Sequence, residues 1–394
     1  MLAAISFILL IFLQGCSSTK LGSSGENKGG QPASDVKQNT QENDQKDNAG
    51  QDNGTGENAE AEENDGAGKN NGAGEANVTE PTQPEAEPEP IDYNVVKPNE
   101  TGRIMIVMFH NFIEEYTGGD KEYTTTFDEF EKLLDTLYTS GYRLISLSDY
   151  LSGNIDTPAG CIPIVFTFDD GTAGQFSMIE ENGKLVANPR SAVGIIEKFN
   201  ETHPDFGVEG TFYVNLGNQT FGSTGTLQER LQYLTDKGFE IGNHTYSHMS
   251  MKKIKTSDEM QKELGMNQKK MLELIPGYQF NTFSLPYGAP SANLVEYIKK
   301  GEYERTAYEH AAIMEVGWDP ATSPFSTGFN PMSTHRVRST GITNVDCDLA
   351  WWLENQSKKS QYVSDGDPST VAVPETSADK VNKDALGDRK LVTY

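Results

Sequence analysis

The chain has 394 residues, only 35% of them apolar, and a formal net charge of −26. That is too polar to fold throughout, since globular domains run at about 45–50% apolar. The charge excludes nucleic acid, which needs a basic face, and excludes docking to an anionic bilayer through a polybasic surface. Three cysteines exclude a disulfide scaffold.

Met1–Leu13 is almost wholly apolar and carries no charged side chain. It is shorter than the roughly 20 residues a spanning helix needs and fits the apolar region of a secretory signal, though a basic n-region is missing. It ends in Leu13-Gln14-Gly15-Cys16, which resembles a bacterial lipobox. That resemblance makes residues 1–16 a signal peptide. It implies attachment to the extracytoplasmic face of the membrane through a lipid on Cys16. The plainer alternative is an ordinary secretory signal with a chance cysteine. Residues 17–98 hold 17 acids against 6 lysines, with no aromatic residue between Phe12 and Tyr93. Such a segment cannot bury enough apolar surface to offset chain entropy. It reads as a disordered acidic linker, stiffened by the proline run at residues 81–90 and spanning about 50 Å.

From Asn99 apolar runs alternate with amphipathic stretches. Arg103–Phe109, Tyr142–Leu147, Ile162–Phe168, Gly210–Val214, Phe239–Gly242, Thr282–Leu285, Ala311–Trp318 and His335–Ser339 read as strands. Thr126–Tyr138, Ala192–Phe199, Leu227–Lys237, Asp258–Leu274, Ser291–Lys300 and Asp346–Glu354 read as helices, the first with a capping box from Thr126 and Glu129. Phe176–Pro189 reads as a hairpin turning at Asn182-Gly183, either a wall of the substrate groove or a neutral decoration. Repeated βα units predict a mostly parallel sheet with helices outside, over residues 99–360. Residues 361–394 read as a loose polar tail.

In parallel α/β folds the active site lies at the carboxyl ends of the strands. Asp169-Asp170-Gly171, then His244-Thr245-Tyr246-Ser247-His248, then Pro286-Tyr287-Gly288 follow three such strands. Imidazoles four apart, on one helical turn or a turn mimicking it, point the same way. With a neighbouring carboxylate they make a His₂-carboxylate set that leaves positions open for water and substrate. The second carboxylate is then free to take a proton.

These residues resemble a known family. Thr167-Phe168-Asp169-Asp170-Gly171, Gly210-Thr211-Phe212-Tyr213-Val214, His244–His248 and Leu285-Pro286-Tyr287-Gly288 are similar, in order, to motifs of the polysaccharide deacetylases, the NodB-homology or carbohydrate esterase 4 family. The resemblance implies a distorted (β/α) barrel of about seven strands. It implies that Asp170, His244 and His248 bind a divalent metal, zinc first, with cobalt or manganese as alternatives. Asp169 would be the general base, and the Tyr287 N–H would hold the oxyanion. The reaction implied is hydrolysis of the linear amide of N-acetylated sugars in a cell-wall or extracellular polysaccharide, releasing acetate. Two further readings stand beside it: a non-catalytic glycan-binding lipoprotein, and an O-acetyl esterase of xylan type.

The chain departs from the family pattern at three places. An arginine two residues before the motif proline is replaced by Ser284. The usual Leu-His that supplies the general acid becomes Thr334-His335-Arg336, so His335 is the acid candidate. Arg336, or Arg338, is the candidate for the missing guanidinium. The Asp and Trp motif becomes Gly317-Trp318-Asp319, with Trp318 either against the acetyl methyl or in the core. His110 ends the first strand, as a histidine does in several related deacetylases, and is given no chemical role here. Trp351-Trp352 reads as a buried helix face, with a sugar platform as the alternative. His203 and His310 have no motif around them.

Overall fold

The computed structural model describes residues 91–340 and 345–394. The signal, the lipobox and most of the acidic linker therefore lie outside the described residues. In chain order the main elements are α1 (Tyr93–Val96), β1 (Arg103–Phe109), β2 (Asn111–Ile113), β3 (Thr124–Thr126), α2 (Phe127–Thr139), β4 (Tyr142–Leu144), α3 (Leu147–Ser152), β5 (Ile162–Asp169), the hairpin β6 (Met178–Glu181) and β7 (Lys184–Ala187), and α4 (Ala192–Thr202). Then come β8 (Thr211–Val214), α5 (Leu227–Asp236), β9 (Glu240–Asn243), α6 (Ser257–Leu274), β10 (Thr282–Ser284), α7 (Val295–Lys299), the hairpin β11 (Lys300–Tyr303) and β12 (Thr306–Glu309), and β13 (Ala312–Met314). The chain ends with β14 (Ala321–Thr322), β15 (Val337–Arg338), α8 (Leu349–Asn355), β16 (Thr370–Val373) and β17 (Lys390–Thr393).

Seven strands run parallel in the order β13-β10-β9-β8-β5-β1-β15. The sheet curls until its edges meet: Thr334, just before β15, bridges Met314 of β13. This is the distorted (β/α) barrel that the motif order implies. Strand alternation sorts the side chains into two layers. Ile104, Ile106, Val165, Tyr213 and Met314 fill the interior. Met105, Val107, Phe109, Phe166, Phe168 and Phe212 face outward, onto Phe130 and Leu134 of α2, Ile196 of α4 and Leu231 of α5. The same alternation turns Thr167 and Asp169 inward beside Val165. Helix α2 begins with the expected capping box, in which Glu129 N donates to Thr126 Oγ1 and Thr126 N to the Glu129 carboxylate.

Several expectations are corrected. The 291–300 helix is a 3-10 turn followed by only α7, and 300–309 forms a hairpin instead of continuing it. The strand sought over 311–318 stops at Met314, which frees Val316–Trp318 to form a loop at the barrel mouth. Most importantly, residues 361–394 are not a loose tail. Arg103 N donates to Ser360 O and Tyr362 N to Arg103 O, tying this segment to the start of β1. A Cβ on Gly102 would lie 2.3 Å from the Gln361 backbone, so the two chains touch main chain to main chain. Tyr362 and Val371–Val373 are buried, and β16 pairs with β17. Residues 91–98 are likewise ordered, with Tyr93 stacked on Tyr394 at 5.5 Å. The β6–β7 hairpin turns at Asn182-Gly183, both at positive φ, as anticipated. Met178 and Leu185 line a shallow groove with α5 residues, and the hairpin adds no residue to the cavity at the carboxyl ends of β5, β9 and β10.

Candidate active site

The carboxyl ends of β5, β9 and β10 open onto one cavity of about 630 Å³. Asp169, Asp170, His244, His248 and Tyr287 all line it, together with His110, Tyr123 and Trp318. Asp169 is the last residue of β5 and points into the barrel. Asp170 takes φ 83° and thereby swings the second carboxylate the other way, toward the two histidines. Thr245 (φ 65°), His248 (φ 57°) and Tyr287 (φ 52°) share this left-handed conformation, which non-glycine residues adopt at a cost. The strain gathers at the site, and a polar network holds it.

That network comes from β8, β9 and α6. Asn215 Nδ2 donates to the carbonyls of His244 and Thr245. Thr245 N donates to Asn243 Oδ1 at 3.0 Å, and Asn267 Nδ2 donates to the same oxygen at 2.9 Å. Glu263 accepts from Ser247 N at 3.0 Å and from the Ser247 hydroxyl. The His244–His248 segment is thus a clamped loop and not a helical turn. These buried polar partners were invisible in the sequence, because they lie on helix and strand positions that no motif marks.

The donor set fits a cation. His244 Nδ1 donates to Ser284 O at 2.9 Å, which leaves the lone pair on Nε2. His244 Nε2 and His248 Nε2 lie 3.4 and 3.1 Å from Asp170 Oδ1. That oxygen is buried and has no hydrogen-bond partner. The ligand atoms of all three residues lie within 4.8 Å of one another. Lone pairs converging on an orphaned carboxylate oxygen repel each other unless a positive ion stands among them.

Asp169 is 1% exposed and carries a buried partner. Arg336 Nη1 donates to Asp169 Oδ1 and Nη2 to Oδ2, each at 2.8 Å. The Ser284 hydroxyl donates to Asp169 Oδ2 at 3.1 Å and accepts from Arg336 Nη2 at 2.9 Å. Burial pushes the Asp169 carboxyl up, but the Arg336 guanidinium outweighs it and holds the group well below the usual carboxylate range. Arg336 reaches this place because Gly317 lets its backbone close in; a Cβ there would lie 2.1 Å from Arg336 O. Arg338 instead pairs with Glu122 at the rim, at 2.8 Å.

His335 is corrected. Arg336, just before β15, turns inward to Asp169, and His335 beside it turns elsewhere. His335 lines a separate cavity of about 230 Å³, with its ring nitrogens 3.7 Å from Glu315 and 3.8 Å from Asp319. It is not among the residues lining the cavity that holds Asp169 and the donor set. His110 is: its Nε2 lies 3.9 Å from Asp169 Oδ2, and its ring stands edge-on to Tyr123. The strand-end argument that found Asp169 and His244 applies equally to His110, which follows β1. Tyr287 sits with its ring 4.6 Å from that of His248, and its N–H donates to no acceptor among the described residues. Buried His310 is a core group that hydrogen-bonds Ile298 O and stacks on Phe283.

Fold and site together define a parallel (β/α) barrel with a three-residue donor set, suited to a cation, at its mouth. Residues 156–306 match the family model described as polysaccharide deacetylase. Among solved structures, the chain is similar to a Streptococcus pyogenes deacetylase, PplD, in complex with acetate, at 17% identity over 65% of this chain and 98% of that one, TM-score 0.47. It is also similar to a polysaccharide deacetylase from Bacillus cereus, at 19% identity over 64% and 68% of the two chains, TM-score 0.46. A third is IcaB from Ammonifex degensii, at 18% identity over 60% and 91%, TM-score 0.43. No curated protein matches the sequence. The family match covers Ser284 but begins after His110 and ends before Trp318 and Arg336.

Proposed function

We propose that the protein is a metal-dependent hydrolase that removes acetyl groups from N-acetylated sugars of a cell-wall or extracellular polysaccharide. The observation that carries this reading is the buried Arg336–Asp169 pair beside the convergent Asp170, His244 and His248 donors, in one open cavity. Zinc, with cobalt or manganese as alternatives, would be held by those three side chains. When bound, it would polarise the acetyl carbonyl and lower the pKa of the attacking water. Asp169, ionised and aimed by Arg336, takes the proton from that water. The Tyr287 N–H, which has no acceptor among the described residues, would serve as the oxyanion donor. His110, which lines the same cavity 3.9 Å from Asp169, would take up the proton that Asp169 accepts and pass it to the departing amine. The guanidinium from Arg336 removes the main reason to read the barrel as a degenerate, binding-only scaffold.

The same reading includes a lipid on Cys16 and a place on the extracytoplasmic face of the membrane. It rests on Leu13–Cys16, and no helix among the described residues is long and apolar enough to cross a membrane. The test is acetate release from peptidoglycan and from N-acetylglucosamine oligomers with Zn²⁺, Co²⁺ or Mn²⁺ added, alongside O-acetylated xylan. Release from the amides alone supports the reading. Release from xylan alone makes the protein an esterase, and none at all makes it a binding protein. Asp169→Asn should keep its metal and lose about 10²–10⁴-fold in turnover.

A further inference from the structure

The chain contains three tryptophans. All three lie together, beginning inside the catalytic cavity. Trp318 lines that cavity and is 46% exposed, a large apolar surface left in water. Its carbonyl accepts a hydrogen bond from Trp352 Nε1 at 2.9 Å. The Trp352 ring in turn stands perpendicular to the Trp351 ring, centroids 4.8 Å apart. On α8, Leu349, Trp352 and Leu353 make up the face that packs on the core. Trp351 lies about 100° round the helix from Trp352. It stays outside that cluster and is partly exposed.

We infer that Trp318, Trp352 and Trp351 form a glycan-binding stripe that leads out of the catalytic cavity and takes sugar units beyond the one whose acetyl group reacts. This rests on the proposed deacetylase reading and adds the length of substrate that the protein grips. Indole faces are flat and apolar, and they match the C–H faces of pyranose rings, whose hydroxyls point outward to water. The occupant is a glycan because the stripe is continuous with the cavity through Trp318: a chain whose acetyl group lies beside Asp169 and the donor set runs onto it. The platform is held rigid before any ligand arrives. Arg336 Nε donates to Glu315 O at 2.9 Å, Gly317 packs on the Arg336 backbone, and the His335 ring stands between Glu315 and Asp319, on either side of Trp318. Such preorganisation converts contact into affinity with little ordering cost.

Because no tryptophan lies elsewhere, intrinsic fluorescence of the full chain reads this surface directly. The emission is titrated with N-acetylglucosamine disaccharide and hexasaccharide, with acetate release followed in parallel. The hexasaccharide should shift the emission saturably and bind at least about tenfold tighter than the disaccharide. Trp351→Ala should collapse that ratio toward one, and Trp351→Phe, which keeps a ring, should retain most of it. A wild type that binds both lengths equally, or a Trp351→Ala variant that keeps the ratio, overturns the stripe. Acetate release without a length advantage overturns the stripe alone. A length advantage without acetate release overturns the deacetylase reading and leaves the stripe standing.

Discussion

The protein buries a carboxylate at each end of its barrel, with opposite outcomes. At the mouth, Asp169 lies 1% exposed between both amino groups of Arg336 and the Ser284 hydroxyl, and is held far below the usual carboxylate range. At the other end, Glu100 lies 3% exposed ahead of β1. It accepts hydrogen bonds from Tyr362 Oη and from the Asp365 and Ala372 amides. Burial and the neighbouring Asp365 charge push it up to about 8. Burial is common to both, so it is not what decides the charge. A fixed guanidinium keeps one carboxylate ionised for chemistry, while hydrogen bonds without a cation leave the other close to neutral, as a structural tie to the 361–394 segment.

Removing the guanidinium is the strongest way to break this contrast. Arg336→Ala leaves Asp169 buried without a partner and should cost about 3–5 kcal/mol of stability. It should also lower turnover by about two orders of magnitude. Denaturant unfolding and acetate release measure the two effects, and Arg336→Lys should recover the charge but not the paired hydrogen bonds. A variant as stable and active as the wild type would show that Asp169 is oriented by other groups.

At the mouth the third carboxylate, Asp170, is matched by imidazoles instead of a guanidinium. His248→Ala should therefore bring bound metal well below one per chain by elemental analysis, with the fold retained. Unchanged content would refute this donor set. A smaller effect is expected one step out: Glu263→Gln weakens the clamp on Ser247 and should lower metal affinity by about tenfold, measured by competition with a chelator. An unchanged affinity would mean that Asn243 and Asn267 suffice to hold the loop.

The gentlest test lies at the Glu100 end. A folded-state pKa of about 8 against an ordinary 4.5 means that the folded chain keeps a proton that the unfolded chain releases. The stability from Glu100 is present below pH 4.5 and is lost as pH rises through about 8, at no more than about 1.4 kcal/mol per pH unit. Glu100→Gln should flatten the fall in unfolding midpoint across that window. If both proteins fall alike, the carboxylate is ionised and compensated after all.

Much of the site was legible because its residues follow strands directly, and strand ends in a parallel barrel share one mouth. Asp169, Asp170, His244, His248 and Tyr287 are all found there by that rule. His335 misled because the resemblance to the family's Leu-His motif points to it, while in the fold Arg336 turns to Asp169 and His335 turns to Glu315 and Asp319. Alternation could not be read beforehand: strands buried on both faces show unbroken apolar runs such as residues 104–109. The closing segment misled for a different reason. It buries Tyr362 and the short run Val371–Val373 together with polar Gln361, Ser364 and Asp365, and so few apolar residues among polar ones look like a loose tail when read singly.

What the sequence determined by itself was local: helix starts such as Thr126 with its box, the Asn182-Gly183 turn, and the order of motifs that meet at the mouth. Those features depend on neighbours a few residues away, whose chemistry is written in the chain. The tertiary structure alone decided which guanidinium serves Asp169, which histidine faces it, and that residues 361–394 seal the far end. Each of these is a contact across long separations, between Asp169 and Arg336, between His110 and Asp169, and between Gly102 and Gln361. Such contacts depend on barrel register and closure, which no short stretch of sequence encodes.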